Sequence, residues 1–173
     1  MLDYIRADTI VLELEGQHAL DHNDPGGETK WGIARLRHPE ISDAAWQSFS
    51  FDNARALRQT EYWLAAHCDA MPWAIGFALY DACINQGLGS SVLRLQKALG
   101  TVACDGRVGA QTLTAIPWKE PQLSQVFWRF MFFRAAAYGV DLNAKFYLNG
   151  WLNRLGKVAE VCQEGNGKIV LGT

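Results

Sequence analysis

The sequence has no run apolar and long enough to read as a membrane anchor. Its most apolar stretch, Val126 to Val140, is interrupted by Arg129 and Arg134 and is too short to span a bilayer. A basic surplus is also missing: 16 Lys and Arg stand against 18 Asp and Glu, for a net charge of −2. That balance speaks against a dedicated nucleic-acid binder. It also speaks against charge attraction as the main source of affinity for an anionic surface. Cysteine is sparse and scattered, at positions 68, 83, 104 and 162 without a C-x-x-C spacing, so neither a metal cluster nor a redox dithiol is indicated. The opening residues carry Asp3, Arg6, Asp8, Glu13 and Glu15, which leaves no apolar core for a secretory signal. The chain is therefore expected to be made in the cytoplasm, with reduced thiols. Action beyond that compartment would need an export route that the sequence does not encode.

Strand-like alternation, tandem repeats and low-complexity runs are scarce, and what remains is helical. A first helix is expected over about 3–15, with Ala7, Ile10, Val11 and Leu14 on one stripe and Gly16 as its stop. Residues 17–32 are dense in Asp, Asn, Pro and Gly and read as a structured loop with room for a short hairpin. Ser50 is a natural N-cap for an amphipathic helix reaching Ala66. Pro72 opens a helix to about Gln86 that is apolar nearly all round, the mark of a central buried element. Gly87 and Gly89 are expected to break it, and Val92 to Leu99 to form a short helix closed by Gly100. Further helices are expected near Ala110 to Ile116, Pro121 to Tyr138 and Leu142 to Cys162, and the Gly-rich end to be loosely held. On the second last of these, Phe127, Phe130, Met131 and Phe133 read as core, with Arg134 snorkelling to the surface.

Chemistry concentrates in the loop after the first helix, which gathers Glu15, Asp21, Asp24, Glu28 and Thr29. A glycosidase needs one carboxyl that stays protonated to donate to the leaving oxygen. It also needs a second anionic group to stabilise the oxocarbenium-like centre or to activate water. Glu15, one turn beyond Val11 at the edge of an apolar stripe, suits the acid because partial burial favours the neutral form. Glu13 flanks the other edge and is not excluded by geometry. The same cluster also reads as an ordinary solvated turn. His18 and His22 have a spacing that binds zinc on a helix. They fall in a Gly/Pro-rich loop instead, and no metal is expected. Trp31, Tyr62 and Trp63 could stack on sugar rings or fill core. Asp81 and Asn85, four residues apart on one face of the buried helix, must find partners, either in a bracing hydrogen-bond network or on a ligand.

The run Glu15-Gly16, Asp21, Asp24-Pro25-Gly26-Gly27-Glu28-Thr29 and Gly32-Ile33 resembles the N-terminal signature of glycoside hydrolase family 108. Its members are N-acetylmuramidases of phage and bacterial origin. The spacing from Glu15 over eight residues to Asp24, and over four more to Thr29, also resembles the Glu–Asp–Thr triad of phage-type lysozymes. Gln17, His18 and His22 depart from the family's usual glycine, aromatic and proline, and none of these departures removes the acid. Glu61-Tyr62-Trp63, Asp81-x-x-x-Asn85-x-Gly87 and Trp151-Leu152-Asn153-Arg154 extend the likeness. The run Leu95-Gln96-Lys97-Ala98-Leu99-Gly100, followed by Asp105-Gly106-Arg107-Val108-Gly109, resembles a peptidoglycan-binding module.

The resemblance implies an all-α, lysozyme-like domain over 1–173, with a hydrolase part at 1–90 and a second lobe at 91–165. It implies Glu15 as general acid, Asp24 as anionic partner with Asp21 as rival, and Thr29 as the water-holding residue. Asp21, Trp31, Tyr62, Trp63, Asp81 and Asn85 become candidate substrate contacts. The implied reaction is cleavage of the β-1,4 bond between N-acetylmuramic acid and N-acetylglucosamine, without metal or cofactor. The implied partner is the peptidoglycan glycan strand, with no nucleic acid and no stable membrane insertion. An endolysin of prophage origin would reach the wall through a holin-like or comparable route. A lytic transglycosylase and a catalytically silent wall-binding or secretion-associated protein are the alternatives.

Overall fold

A computed structural model describes residues 2–15 and 28–164, with the side chains of Leu2, Glu15 and Glu164 left undescribed. The chain is all-α. Eight α-helices are joined in the described part by one two-stranded ribbon and short 3-10 turns. The fold divides into two compact units, Met1–Glu61 and Tyr62–Thr173.

In the first unit, α1 (Leu2–Glu15) buries Tyr4, Ala7, Asp8 and Val11. These fall one turn apart, which is the row a helix must turn inward to have a core side. The row passes through Tyr4 and Asp8, so Ile10 and Leu14 of the expected stripe are only half-buried. The antiparallel strands β1 (Thr29–Lys30) and β2 (Ile33–Ala34) pair Lys30 with Ile33 and Thr29 with Ala34. Their two-residue loop, Trp31-Gly32, has φ of 54° and 79°. Two consecutive positive φ angles are the pattern of the type I′ turn, whose twist matches a tight ribbon. A short helix α2 (Asp43–Gln47), not anticipated from the sequence, is capped by Ser42. It sends Trp46 into a small core with Ile33 and Ala54, against which Ile41, Phe49 and Leu57 pack. Helix α3 (Phe51–Arg58) begins at the expected Ser50 with a full capping box, the Ser50 and Asn53 side chains each serving the other's backbone N–H. It continues into a π-helical segment, Gln59–Leu64.

The second unit is built around α4 (Trp73–Gln86), whose residues from Ala74 to Cys83 are all buried. Gly87, at φ 83°, breaks the helix in a single residue, and α5 (Leu88–Leu99) starts at once. The expected second break at Gly89 is absent because an open-sided glycine is tolerated inside a helix. Gly100 closes α5 in the left-handed conformation at φ 73°. Then come α6 (Ala110–Ala115), α7 (Gln122–Gly139) and α8 (Ala144–Glu164). Helix α4 packs on α5, α7 and α8, while α7 also packs on α5 and α8. Among the described residues no helix is long and apolar enough to cross a membrane. All four cysteines are thiols, with Cys68, Cys83 and Cys162 buried and Cys104 exposed. Burial pushes the Cys83 thiol up to about 12, which leaves it unreactive.

Candidate functional site

Glu15 is the last residue of α1, one turn beyond the fully buried Val11. Its side chain, together with Asp21, Asp24, His18 and His22, lies outside the described residues. What the structure does describe is the frame on either side of them.

Helix α1 is held at its middle by a charge cluster that the sequence did not announce. Asp8, with no exposed surface, accepts hydrogen bonds from Arg58 Nε at 2.7 Å and Arg58 Nη2 at 3.1 Å. Its Oδ2 also accepts from Arg55 Nε at 3.1 Å. The Tyr4 hydroxyl donates to the Arg55 carbonyl. Arg58 has a third task, donating from Nη1 to the Trp31 carbonyl at 2.9 Å. One arginine thus ties α1, α3 and the tip of the β1–β2 ribbon together. A two-pronged guanidinium can do this where a lysine could not. Nothing local marks Asp8 as buried, because its partners lie 47 and 50 residues downstream.

Thr29 opens β1, half-buried, and Trp31 stands on the turn of the same ribbon. Trp31 is 44% exposed although it is a bulky residue at positive φ. Its ring meets Phe51 edge-on at 5.7 Å. A strained residue persists only where its surroundings hold it, and such residues cluster at functional sites. Here Arg58 and Phe51 do the holding. Glu28 precedes the ribbon, and its backbone carbonyl accepts from Arg35 N at 2.9 Å. The indole N–H of Trp46 and the guanidinium of Arg35 hold the exposed Glu28 carboxyl below its ordinary range.

The remaining predicted residues belong to the second unit. Trp63 is buried at 3% exposure and packs edge-on against buried Tyr80 at 5.5 Å. It is therefore core, not an open stacking platform. Tyr62 is half-buried. Asp81 has no exposed surface, and its two oxygens are taken by Arg134 Nη2 and by Arg154, whose Nε donates at 2.9 Å. That is the bracing network, and it leaves Asp81 no surface to offer a sugar. Asn85 is the exposed member of the pair, with its Oδ1 accepting from Tyr138 OH. Arg134 does not snorkel. It is fully buried, donating to the Ala78 carbonyl at 3.2 Å and to Gln86 Oε1 at 3.2 Å. An arginine on an apolar stripe stays inside when a buried carboxylate waits for it. Behind α5, Gln96 Nε2 donates to Asp105 Oδ1 at 2.8 Å and to the Arg107 carbonyl at 2.9 Å. Gly106 N donates to Gln96 Oε1 at 2.9 Å. The Asp-Gly turn is thus pinned by one buried amide. Among the described residues no group of His, Cys, Asp and Glu is placed to hold a metal ion.

The fold is all-α and lysozyme-like, and the comparisons with known proteins extend this. Residues 9–87 match the family model of glycosyl hydrolase 108, and residues 90–156 match a predicted peptidoglycan domain. The solved structure of SagA from Brucella abortus is similar at 27% identity and a TM-score of 0.77, with 92% of each chain covered. No curated protein matches the sequence. The chain is thus similar to glycoside hydrolase family 108 over residues 9–87 and to a peptidoglycan domain over residues 90–156. Its role lies with peptidoglycan, as a hydrolase or binding protein.

Proposed function

We propose that the protein is an N-acetylmuramidase. It would cleave the β-1,4 bond between N-acetylmuramic acid and N-acetylglucosamine, with Glu15 as the general acid. The observation that carries this reading is the position of Glu15. It is the last residue of α1, one turn past buried Val11, with the Asp8–Arg58–Trp31 tether fixing that helix against the ribbon that bears Thr29. A rigid support of this kind is what an acid must have to meet a glycosidic oxygen repeatedly in one geometry. Glu15 protonates the leaving oxygen. Asp24, or Asp21 in its place, stabilises the positive charge developing on the sugar, and the Thr29 hydroxyl orders the attacking water. The exposed, strained Trp31 offers a sugar-stacking face beside Thr29. We further propose that the protein acts on the wall after leaving the cytoplasm by a holin-like or comparable route, as a phage-type endolysin does.

Digestion of purified peptidoglycan with product mass spectrometry tests the reading. The wild type should release reducing N-acetylmuramic acid ends. Glu15→Gln should lose clearing of a peptidoglycan zymogram by a factor of roughly 100 or more, the scale of general acid catalysis, with an unchanged circular dichroism spectrum. Anhydro-muramyl ends would assign a lytic transglycosylase instead. Wall binding without release of any fragment by the wild type would assign a silent binding protein. Full activity in Glu15→Gln would remove Glu15 from the site.

A further inference from the structure

The first unit holds a cavity of about 330 Å³ that borders Glu28 and is walled by Arg35, Leu36, His38, Ile41 and Asp43. That volume is at the small end of ligand pockets, enough for one compact group. Three features of its wall are chemically distinct. The first is a fixed donor. Arg35 sits with its guanidinium carbon 5.8 Å from the centre of the Trp46 ring. It donates from Nη1 to Glu28 at 3.2 Å and from Nη2 to Asp43. Five N–H groups on a guanidinium leave donors to spare after two carboxylates have been served.

The second is a free acceptor. His38 is only 6% exposed, and its Nδ1 lies 3.1 Å from Glu40 and 3.5 Å from Glu61. Two carboxylates on Nδ1 favour the tautomer that carries its proton there, which leaves the lone pair on Nε2. Nε2 has no hydrogen-bond partner among the described residues. An acceptor on a cavity wall is matched by a ligand that brings an N–H or O–H donor. The third is an apolar wall, formed by exposed Leu36 and by Ile41, which leans on the Trp46 core.

Charge narrows the ligand. Glu28 and Asp43 neutralise Arg35 and repel an anion, which excludes an anionic ligand. The group that fits a donor, an acceptor and an apolar wall without charge is a secondary amide bearing a methyl. We propose that this cavity is a subsite for the acetamido group of a wall N-acetylhexosamine. The amide N–H would donate to His38 Nε2, the carbonyl would accept from Arg35, and the methyl would rest on Leu36 and Ile41. The proposal rests on the peptidoglycan reading given above and adds a specificity determinant to it.

The test uses the full chain and two matched sugars, the trisaccharide of N-acetylglucosamine and that of glucosamine. In NMR titrations the acetylated trimer should shift the His38 Nε2 resonance and the methyl signals of Leu36 and Ile41. The de-N-acetylated trimer should shift them at least tenfold more weakly. On fully acetylated peptidoglycan, His38→Leu should raise KM about tenfold with kcat little changed, since the acetamido N–H loses its acceptor. Leu36→Ser, at a surface position that folding tolerates, should raise KM a few-fold and decides the matter if His38→Leu fails to fold. On chemically de-N-acetylated wall both variants should equal the wild type. Unmoved His38 and Ile41 signals, or equal losses on both walls, would overturn the subsite. A wild type that cleaves neither wall would overturn the hydrolase reading alone, because the titration answers separately.

Discussion

Asp8 lies seven residues, two helical turns, before Glu15 and accepts from both Arg55 and Arg58 inside the first unit. In the sequence it is one charge among several in the first helix. Its burial depends on arginines from another helix, and no local pattern carries that information. Arg134 was hidden for the same reason, because its partner Asp81 comes from α4, 53 residues away. His38, six residues past Gly32, carries no motif, and its free Nε2 emerges only once Glu40 and Glu61 are seen together on Nδ1. The small hairpin at Thr29–Ala34 was legible because the segment before it is punctuated by Asp, Pro and Gly. Removing one partner of a buried ion cluster costs far more than the cluster contributes, because the charge left behind has no water and no counterion. Asp8→Asn should therefore lower stability by about 3–5 kcal/mol in urea titration. Activity on peptidoglycan at low temperature should fall as well, because the Arg58 tether to Trp31 loses its anchor. A loss below 1 kcal/mol would mean that the cluster is hydrated and not the frame described above.

At the scale of elements, the helices were legible because helical period, Ser and Pro starts and Gly stops are local signals, and Ser50, Pro72, Gly87 and Gly100 each do what their chemistry predicts. The misreadings fall where a local signal is ambiguous. Gly89 stays helical because nothing around it demands a break, and α2 was missed because five residues are too few to show a period. Glycine inside a helix has two opposite meanings that only packing separates. A Cβ on Gly76 in α4 would lie 2.5 Å from the Cys68 carbonyl oxygen, so the helix and that turn can approach only because the side chain is absent. A Cβ on Gly150 in α8 would meet nothing within 4 Å. Gly76→Ala should destabilise by about 1–3 kcal/mol through overpacking. Gly150→Ala should stabilise by roughly 0.5–1 kcal/mol, through helix propensity alone. Differential scanning calorimetry checks both, and shifts of the same sign would contradict the close approach of α4 to the Cys68 turn.

At the scale of the molecule, two partitions of the chain disagree, and the disagreement has a physical content. The family models divide it between residues 87 and 90, at the break between α4 and α5. The packing divides it after Glu61, within the π-helical segment. The resemblance read in the sequence implies nearly the same line, with a hydrolase part at 1–90 and a second lobe at 91–165. A break in helical pattern marks a turn, and it does not say which side a helix packs on. Helix α4 is assigned by family to the hydrolase part, yet its apolar surface is buried against α5, α7 and α8, the helices of the peptidoglycan part. Ten consecutive buried residues from Ala74 to Cys83, together with the Asp81 carboxylate that neutralises Arg134 and Arg154, are missing if the chain is cut at the family boundary. A fragment of residues 88–173 should therefore be unfolded or aggregated, exposing the apolar faces of α5, α7 and α8 and leaving Arg134 without its carboxylate. A fragment of residues 62–173 retains α4 and the whole ion cluster, and is long enough to bury a core of its own. It should show a helical circular dichroism spectrum, a cooperative melt and monomeric elution in size exclusion. It should bind peptidoglycan without releasing fragments, because Glu15 and Thr29 are left behind. If 88–173 folds cooperatively alone, α4 is a lid on a finished bundle and not its centre, and the family boundary is then also the physical one.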